Sequence, residues 1–219
     1  MTGTRPPGPA GGGRLAERPA GRLADTVSRI SSFTTTDPTA NAARQAVLDL
    51  LASAGDRAFE RSSFAPGHLT ASALVIPPEG GAVLLVHHAR LGLWLQPGGH
   101  VDPRDPDLLA TAVREVEEET GIRASAPEDP LLDLDVHRIP ARPGEPAHLH
   151  YDVRFLLAAP TREVRPGDGV RAVRWVAFSD LGAAGTDASV LRAATRTLPH
   201  DPATAAPRSG HPFDTRRAS

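Results

Sequence analysis

Apolar positions recur along the chain first with the spacing of helices and then with the spacing of strands. Leu23, Val27 and Ile30 are four and three residues apart, which predicts a short amphipathic helix. A second helix is predicted between Asp37-Pro38, a typical helix start, and Gly55, a typical helix end. Its apolar face comprises Ala43, Ala46, Val47, Leu50 and Leu51. We therefore expect two helices ahead of the first strand.

From Leu69 onward the apolar residues follow the pattern of strands. The sequences TASALVIP and AVLLVHH, separated by the turn PEGG, predict a hairpin. The later predicted elements are a short strand at 93–95, a second hairpin of strands 131–141 and 148–159 joined near Pro143-Gly144, a strand at 170–178 and a helix at 186–198. An acidic helix lies between the two hairpins. This order indicates an α+β fold, in which helices pack on a sheet.

The helix between the hairpins has start and stop signals at its two ends. Asp105 followed by Pro106 predicts an N-cap with proline in the first turn, and Asp107 adds a favourable charge there. Gly121 predicts the end of the helix. The apolar stripe between them comprises Leu108, Leu109, Ala112, Val113 and Val116. Upstream, Gly98-Gly99 allows the backbone to approach a ligand closely.

Three glutamates of this helix share one face. Glu115, Glu118 and Glu119 stand at positions i, i+3 and i+4, where like charges destabilise a helix by about 0.2–0.5 kcal/mol per pair. Arg114 alone cannot offset this repulsion, which the negative pole of the helix increases. A hard divalent cation, Mg²⁺ or Mn²⁺, prefers carboxylate oxygens and would relieve it. A solvated acidic helix face is the alternative interpretation.

Segment 98–122 resembles the signature of the Nudix hydrolase family. That signature is a glycine, five residues, a glutamate, seven residues, and then R-E-U-x-E-E-x-G-U, where U is aliphatic. Residues 114–122, REVEEETGI, fit the second half fully. With Gly99 as the leading glycine, Asp105 occupies the first glutamate position, and eight residues rather than seven precede the second half. We interpret Pro106 as a one-residue expansion where the loop joins the helix.

The resemblance implies a Nudix α/β/α sandwich with a mixed sheet and hydrolysis of a phosphoanhydride bond in a nucleoside diphosphate linked to another group. It implies Mg²⁺ as cofactor, with Mn²⁺ as a substitute, because metal ions neutralise phosphate oxygens and place the attacking water. Glu118 and Glu119 are the expected ligands, and Glu115 is either a third ligand or the catalytic base. The backbone carbonyl near Gly99 would complete the metal shell. Arg114 completes the catalytic set, either by orienting the carboxylates or by contacting a phosphate.

A further acid outside the motif often serves members of the family as ligand or base. The candidates here are Glu145, Asp152 and Asp168. We favour Asp168, because mobile catalytic acids tend to lie in loops. A solvated carboxylate is the alternative interpretation of each.

Histidines and a tryptophan are the predicted substrate contacts. His148 and His150 point to the same side of a predicted strand, which suggests a substrate-binding or second-metal surface that His100 and His87-His88 face across the sheet. Trp94 is predicted to stack on a nucleobase. The alternatives are outward polar residues on a half-exposed strand and a tryptophan in the core. A zinc site would need three or four converging ligands, which spacing alone does not establish.

Length and composition set the domain organisation. The 219 residues, 40% of them hydrophobic, are enough for one core plus extensions. We expect a disordered arm at 1–20, a helical extension at 21–65, a Nudix hydrolase domain at 66–198 and a flexible tail at 199–219. No apolar run approaches the ~18 residues that span a bilayer, and no secretory signal is evident, so a cytoplasmic protein is expected.

The absence of cysteine and the balance of charge exclude several functions. Without cysteine there is no disulfide, no thiol catalysis and no counterpart to the catalytic cysteine of isopentenyl diphosphate isomerase, which shares the Nudix fold. A net charge of −2 gives no global field toward nucleic acid or an anionic membrane. The expected partner is a nucleotide-type small molecule, and a homodimer is compatible with the family.

Two further functions stay open at this point. One is a non-catalytic Nudix domain that binds a nucleotide sugar as a regulator, which the intact Glu118-Glu119 pair disfavours. The other is an RNA-end processing hydrolase, which would need a basic groove. The arginines that could form such a patch are Arg154, Arg162, Arg165, Arg171 and Arg174.

Overall fold

The computed structural model describes residues 21–89, 91–167 and 169–197, so the predicted arm at 1–20 and tail at 199–219 lie outside it. The helices are α1 (Arg22–Ser32), α2 (Pro38–Ala54), α3 (Leu108–Thr120) and α4 (Ala188–Thr195), with 3₁₀ turns at Gly55–Phe59 and Phe178–Ala183. The strands are β1 (Gly67–Ile76), β2 (Ala82–His88), β3 (Trp94–Leu95), β4 (Gly98–His100), β5 (Leu131–Ile139), β6 (His148–Ala158) and β7 (Val170–Ala177). Within these ranges, no helix is long and apolar enough to cross a membrane.

The strands form two sheets. The first has four strands in the order β4-β1-β6-β5, with β1 parallel to β6 and antiparallel to β4. The second has three antiparallel strands in the order β3-β2-β7. Helices pack on both sides of this arrangement, which confirms the expected α+β fold with a mixed sheet.

The predicted hairpin of β1 and β2 is wrong, because the two strands lie in different sheets. β1 pairs with β4 and β6, and β2 pairs with β3 and β7. The turn between them contains Gly80 and Gly81, both at positive φ (74° and 75°), and carries the chain from one sheet to the other. The second hairpin is confirmed: β5 and β6 pair antiparallel from Ile139 opposite His148, with Gly144 at φ 82° in the turn.

The two faces of the four-stranded sheet differ in chemistry. Its apolar face packs against α2 and α3, and both helices belong to the same core as the strands. That core includes Leu69, Val153 and Phe155 from the sheet, Val47, Leu50 and Leu51 from α2, and Ala112 and Val116 from α3. The N-terminal helices therefore complete the core of the main domain. In α1 the buried positions are Arg22, Thr26 and Ile30, whereas the predicted core residue Val27 is 38% exposed.

The opposite face, here called the polar sheet face, has side chains that ionise or hydrogen-bond. Alternation along paired strands places these residues on one side of the sheet. They are His68, Thr70 and Ser72 of β1, His148, His150, Asp152 and Arg154 of β6, and Asp133, Asp135 and His137 of β5. At one end Leu74 continues this face and packs with β2, β7 and α4 in a second core.

A buried ion network attaches α4 to the polar sheet face. Arg154, 1% exposed, donates from Nε to Asp152 Oδ2 (2.9 Å) and from Nη1 to the carbonyl of Ser189 in α4 (2.9 Å). From α4, Arg192 Nη2 donates to Asp133 Oδ2 and Asp135 Oδ1, both at 2.9 Å. Since buried carboxylates require compensation, the arginines hold the helix and the sheet together.

Replacement of Arg154 tests this network. Arg154→Leu leaves Asp133, Asp135 and Asp152 buried with less compensating charge, so we expect the free energy of unfolding to fall by about 3–5 kcal/mol. Denaturant unfolding followed by circular dichroism measures it. The matched control is Arg123→Leu, which removes an exposed pair with Glu117 and should change stability by less than about 1 kcal/mol. Equal effects of the two changes would contradict the role of the network.

Candidate functional site

Helix α3 begins two residues later than predicted. Its N-cap is Asp107, whose side chain accepts from the Ala110 N–H (2.7 Å), and Pro106 precedes the cap. Asp105 is not the cap: it is buried, and its Oδ2 accepts from the backbone N–H of Asp102 (2.9 Å) and from Thr111 Oγ1 (2.8 Å). The side chain of Asp105 therefore stabilises the loop that contains the extra residue, and it does not cap the helix. The predicted end is confirmed, with Gly121 in the left-handed conformation at φ 73°.

Arg114 connects the start of the helix to its acidic face. Its Nη2 donates to Asp105 Oδ2 (2.9 Å) and to the carbonyl of His100 (3.0 Å). Its Nη1 donates to Glu115 Oε1 (2.8 Å) and Glu118 Oε2 (3.0 Å), and its Nε donates to Asp105. All three nitrogens therefore donate within the protein, which favours the orienting role of Arg114 over a direct phosphate contact.

The three glutamates differ in their surroundings. Glu119 accepts from the Gly98 N–H (3.1 Å), and burial raises the pKa of its carboxyl to about 7. Burial also raises the pKa of Glu115, against the opposing effect of the Arg114 guanidinium. The Glu118 side chain is 59% exposed. Two half-buried carboxylates beside a third, exposed one have a chemistry that suits a bound cation.

The two glycines of β4 are required by close approach of the chain. A Cβ on Gly99 would lie 2.6 Å from the carboxyl carbon of Glu115, and a Cβ on Gly98 would lie 2.3 Å from the Cβ of Ser72. Neither distance is tolerated by real side chains. Gly99 therefore allows the strand backbone to lie directly against the carboxylate of Glu115.

A cleft of about 400 Å³ contains the acidic trio. It is lined by Glu115, Glu118, Glu119 and Gly167. Gly167, which sequence reasoning missed, lies in the loop before β7, and its N–H donates to the carbonyl of Glu119 (2.9 Å). A Cβ on Gly167 would lie 1.7 Å from the carbonyl oxygen of Glu118. The only sequence signal was a glycine in a loop, which does not reveal what that loop contacts.

The further acids proposed from the sequence lie elsewhere or outside the described residues. Asp152 is buried in the polar sheet face, where it accepts from Thr70, Ser72, Gln96 and Arg154. Glu145 lies in the β5–β6 turn and forms ion pairs with Arg61 and Arg142. Asp168 is outside the described residues. Among the described candidates for the base, Glu115 is the one that lines the cleft.

The predicted substrate-binding histidines come together on the polar sheet face. The ring centroids of His100 and His150 are 5.2 Å apart, and those of His148 and His150 are 5.1 Å apart. His68 and His137, which the sequence had not linked to them, join the same group, at 4.8 Å and 5.6 Å from His150. Burial lowers the pKa of His100 to about 4 and that of His150 to about 2, so both rings are neutral at pH 7.

The predicted stacking residue Trp94 and the pair His87-His88 lie in the second sheet. Trp94 is in β3, with the Arg174 guanidinium 4.0 Å from its ring centroid and the His87 ring 5.1 Å away. His87-His88 ends β2, a strand of the second sheet. Of the histidines expected to face His148 and His150, His100 therefore lies beside His150, whereas His87 and His88 belong to the other sheet because β1 and β2 do not pair.

A protein-family model matches most of the chain. The NUDIX domain model matches residues 66–198, which is more than half of the 219 residues. The chain therefore belongs to the Nudix hydrolase family, the family that segment 98–122 resembles. Among curated proteins, no match was found.

Solved structures of the same family resemble the chain. A MutT Nudix hydrolase from Burkholderia pseudomallei is 28% identical, with 59% of this chain and 97% of that chain covered and a TM-score of 0.48. A Nudix-family hydrolase from Clostridium perfringens is 26% identical, with 58% and 93% covered and a TM-score of 0.45. The Nudix domain of Shewanella oneidensis NrtR, solved with ADP-ribose, is 21% identical, with 68% and 94% covered and a TM-score of 0.50. This last likeness shows the shared fold.

The loop over the end of α3 is tested by replacement of Gly167. Gly167→Ala places a Cβ against the Glu118 carbonyl, so the loop must leave the helix end and lose the hydrogen bonds from Arg165 N to Thr120 O and from Gly167 N to Glu119 O. We expect a loss of about 1–3 kcal/mol in unfolding free energy, since each such bond contributes about 0.5–1.5 kcal/mol. The matched control is Gly182→Ala, whose Cβ meets nothing within 4 Å. A melting temperature that falls no further in Gly167→Ala than in the control would contradict this contact.

Proposed function

We propose that the protein is a Mg²⁺-dependent pyrophosphohydrolase that cleaves a phosphoanhydride bond in a nucleoside diphosphate linked to another group. The observation that carries the proposal is the convergence of three glutamates in one cleft of a Nudix domain, with an arginine bonded to two of them. An acidic helix face exposed only to water would not have Glu115 and Glu119 half-buried or an arginine between the carboxylates.

The donor set of the cleft fits a hard divalent cation. Glu115, Glu118 and Glu119 offer carboxylate oxygens. The backbone at Gly99 lies close to the Glu115 carboxylate, and its carbonyl is the further oxygen donor that we propose. Oxygen ligands of this kind suit Mg²⁺ or Mn²⁺ and not softer metals. When bound, the cation supplies charge neutralisation at the phosphate oxygens and a template for the attacking water. Removal of divalent cations should therefore abolish activity, and added Mg²⁺ should restore it.

The residues of the cleft have different roles in the proposed reaction. Glu118 and Glu119 act as ligands, and Glu115 acts as a third ligand or as the base that takes the proton of the attacking water. Arg114 holds Glu115 and Glu118 in one orientation while it is anchored to Asp105. Because these groups are fixed before substrate arrives, little reorganisation accompanies the reaction.

Three of the five arginines considered for an RNA groove are engaged within the protein. Arg154 is 1% exposed within the ion network. Arg162 pairs with Glu79, and Arg174 donates to the carbonyl of Ala184 (2.8 Å). A small nucleotide-type substrate therefore fits the described surface better than an RNA end. ADP-ribose, the ligand of the Shewanella domain, is one such molecule.

Substitution of the acidic trio tests the proposal. Glu118→Gln and Glu119→Gln each remove a charged ligand while keeping the shape, so kcat should fall by more than ~10²-fold with the circular dichroism spectrum unchanged. Glu117→Gln is the matched control, because Glu117 belongs to the same helical turn but pairs with Arg123 outside the cleft. Its kcat should stay within about twofold of the parent.

Unchanged turnover in both Glu118→Gln and Glu119→Gln would contradict the assignment of the cleft as the active site. An equal loss in Glu117→Gln would show that a general charge effect, and not ligation, is responsible.

A further inference from the structure

A second group of metal-ligating side chains lies apart from the acidic cleft. His68 of β1 is opposite His150 of β6 in the parallel pairing, and His148 precedes His150 by two residues on the same side of the sheet. One ligand nitrogen from each of His68, His148 and His150 lies within 4.8 Å of the others. A cation between them would need only small movements of the rings, since Zn–N bonds are about 2.0–2.1 Å long.

Backbone carbonyls fix the tautomers of two of these rings. His68 Nδ1 is 3.1 Å from the carbonyl oxygen of Ser63, and His148 Nδ1 is 2.8 Å from that of Pro146. A carbonyl oxygen only accepts, so each Nδ1 carries the proton and each Nε2 presents a lone pair. A second hydrogen bond of this kind is the usual way in which proteins orient histidine ligands of metals.

Two of the nitrogens that remain are buried and have no protein partner. His68 is 1% exposed and His150 is half-buried, and the Nε2 atom of each ring is buried without a hydrogen-bond partner among the described residues. A buried polar atom left without a partner costs about 1–3 kcal/mol. The two rings, whose centroids are 4.8 Å apart, therefore lack a partner, which the described residues do not supply. A bound cation satisfies both atoms at once.

Strand β4 separates this histidine group from the acidic cleft. Gly99 faces Glu115, whereas the next residue, His100, lies on the other side of the strand with its ring 5.1 Å from that of His68. The two groups of ligands therefore use opposite sides of one strand. They also differ in chemistry, because imidazole nitrogens suit Zn²⁺ and similar transition metals, whereas carboxylates suit Mg²⁺.

We propose that His68, His148 and His150 form a binding site for a transition-metal dication of the Zn²⁺ class, distinct from the carboxylate site. His100 or a water molecule supplies the fourth ligand, since three protein ligands leave one tetrahedral position open. The ion joins β1 to β6 beside the edge strand β4. It also anchors the segments that contain Ser63 and Pro146, whose carbonyls hold two of the ligands.

Zinc binding to the tag-free, chelator-treated chain tests this site. The chain is titrated with Zn²⁺ in a calorimeter, in buffer that contains excess Mg²⁺ to occupy the carboxylates. We expect one Zn²⁺ to bind per chain. Co²⁺ in place of Zn²⁺ should give the visible absorption of nitrogen-ligated tetrahedral cobalt. Zn²⁺ should also raise the melting temperature, because it binds the folded chain preferentially.

Two variants separate the histidine site from the acidic cleft. His150→Asn removes a half-buried ligand and should weaken Zn²⁺ binding by at least ~10²-fold and abolish the thermal shift, with the fold checked by circular dichroism. Glu119→Gln damages the carboxylate site and should leave Zn²⁺ binding unchanged. If His150→Asn does not fold, His148→Asn serves as the second ligand variant.

Three results would overturn the proposal. They are the absence of stoichiometric Zn²⁺ binding, full retention of binding in the folded histidine variant, and loss of binding in Glu119→Gln. The last result would assign the zinc to the carboxylates. Because none of these readouts uses enzyme activity, failure of the histidine site and failure of the proposed hydrolase function are distinguished.

Discussion

The charge of Arg114 between the carboxylates of Asp105, Glu115 and Glu118 is the interaction on which the candidate site depends. Three glutamates on one helix face, near its negative pole, would repel one another and turn outward without it. The arginine offsets part of that repulsion and joins the helix to the loop before it and to the carbonyl of His100 in β4. The remaining negative charge stays in the cleft. The same arrangement therefore stabilises the fold and leaves a cleft whose charge suits the cation that we propose.

The four-stranded sheet distributes its chemistry by face and by strand. Its apolar face belongs to a core that α2 and α3 complete, which positions the acidic helix against β4. Its polar face carries an ion network at one end, where Arg154 and Arg192 hold α4, and a group of histidines at the other. β4 is only three residues long, yet its two sides contact the carboxylate cleft and the histidines. Glycine at two of those three positions lets the backbone lie close to Ser72 of β1 and to Glu115 of α3.

The acidic helix and the second hairpin could be predicted from the sequence, because their periodicity, caps and turn residues are local. Helix α3, its stop at Gly121 and the shared face of its glutamates needed no knowledge of tertiary contacts. The pairing of β1 could not be predicted, because a strand that is buried on both faces lacks the alternation of apolar and polar residues that would indicate its position in a sheet. The role of Asp105 was missed for a similar reason: its resemblance to an N-cap is local, while its bonds to Arg114 and Thr111 form only in the folded loop. Gly167 and His68 join their sites through contacts across the fold, which no spacing in the chain reveals.

Release of phosphate from a panel of nucleotides and nucleotide-linked diphosphates is the most direct test of the proposed hydrolase function. The panel contains 8-oxo-dGTP, ADP-ribose, NADH, dinucleoside polyphosphates and sugar nucleotides, each assayed with Mg²⁺, with Mn²⁺ and with EDTA, and with a phosphatase or pyrophosphatase as coupling enzyme. We expect cleavage of one substrate class well above the rest, and this cleavage should depend on the metal and be lost with EDTA. Silence across the whole panel, with a nucleotide still bound, would contradict it and would identify the chain as a non-catalytic Nudix domain.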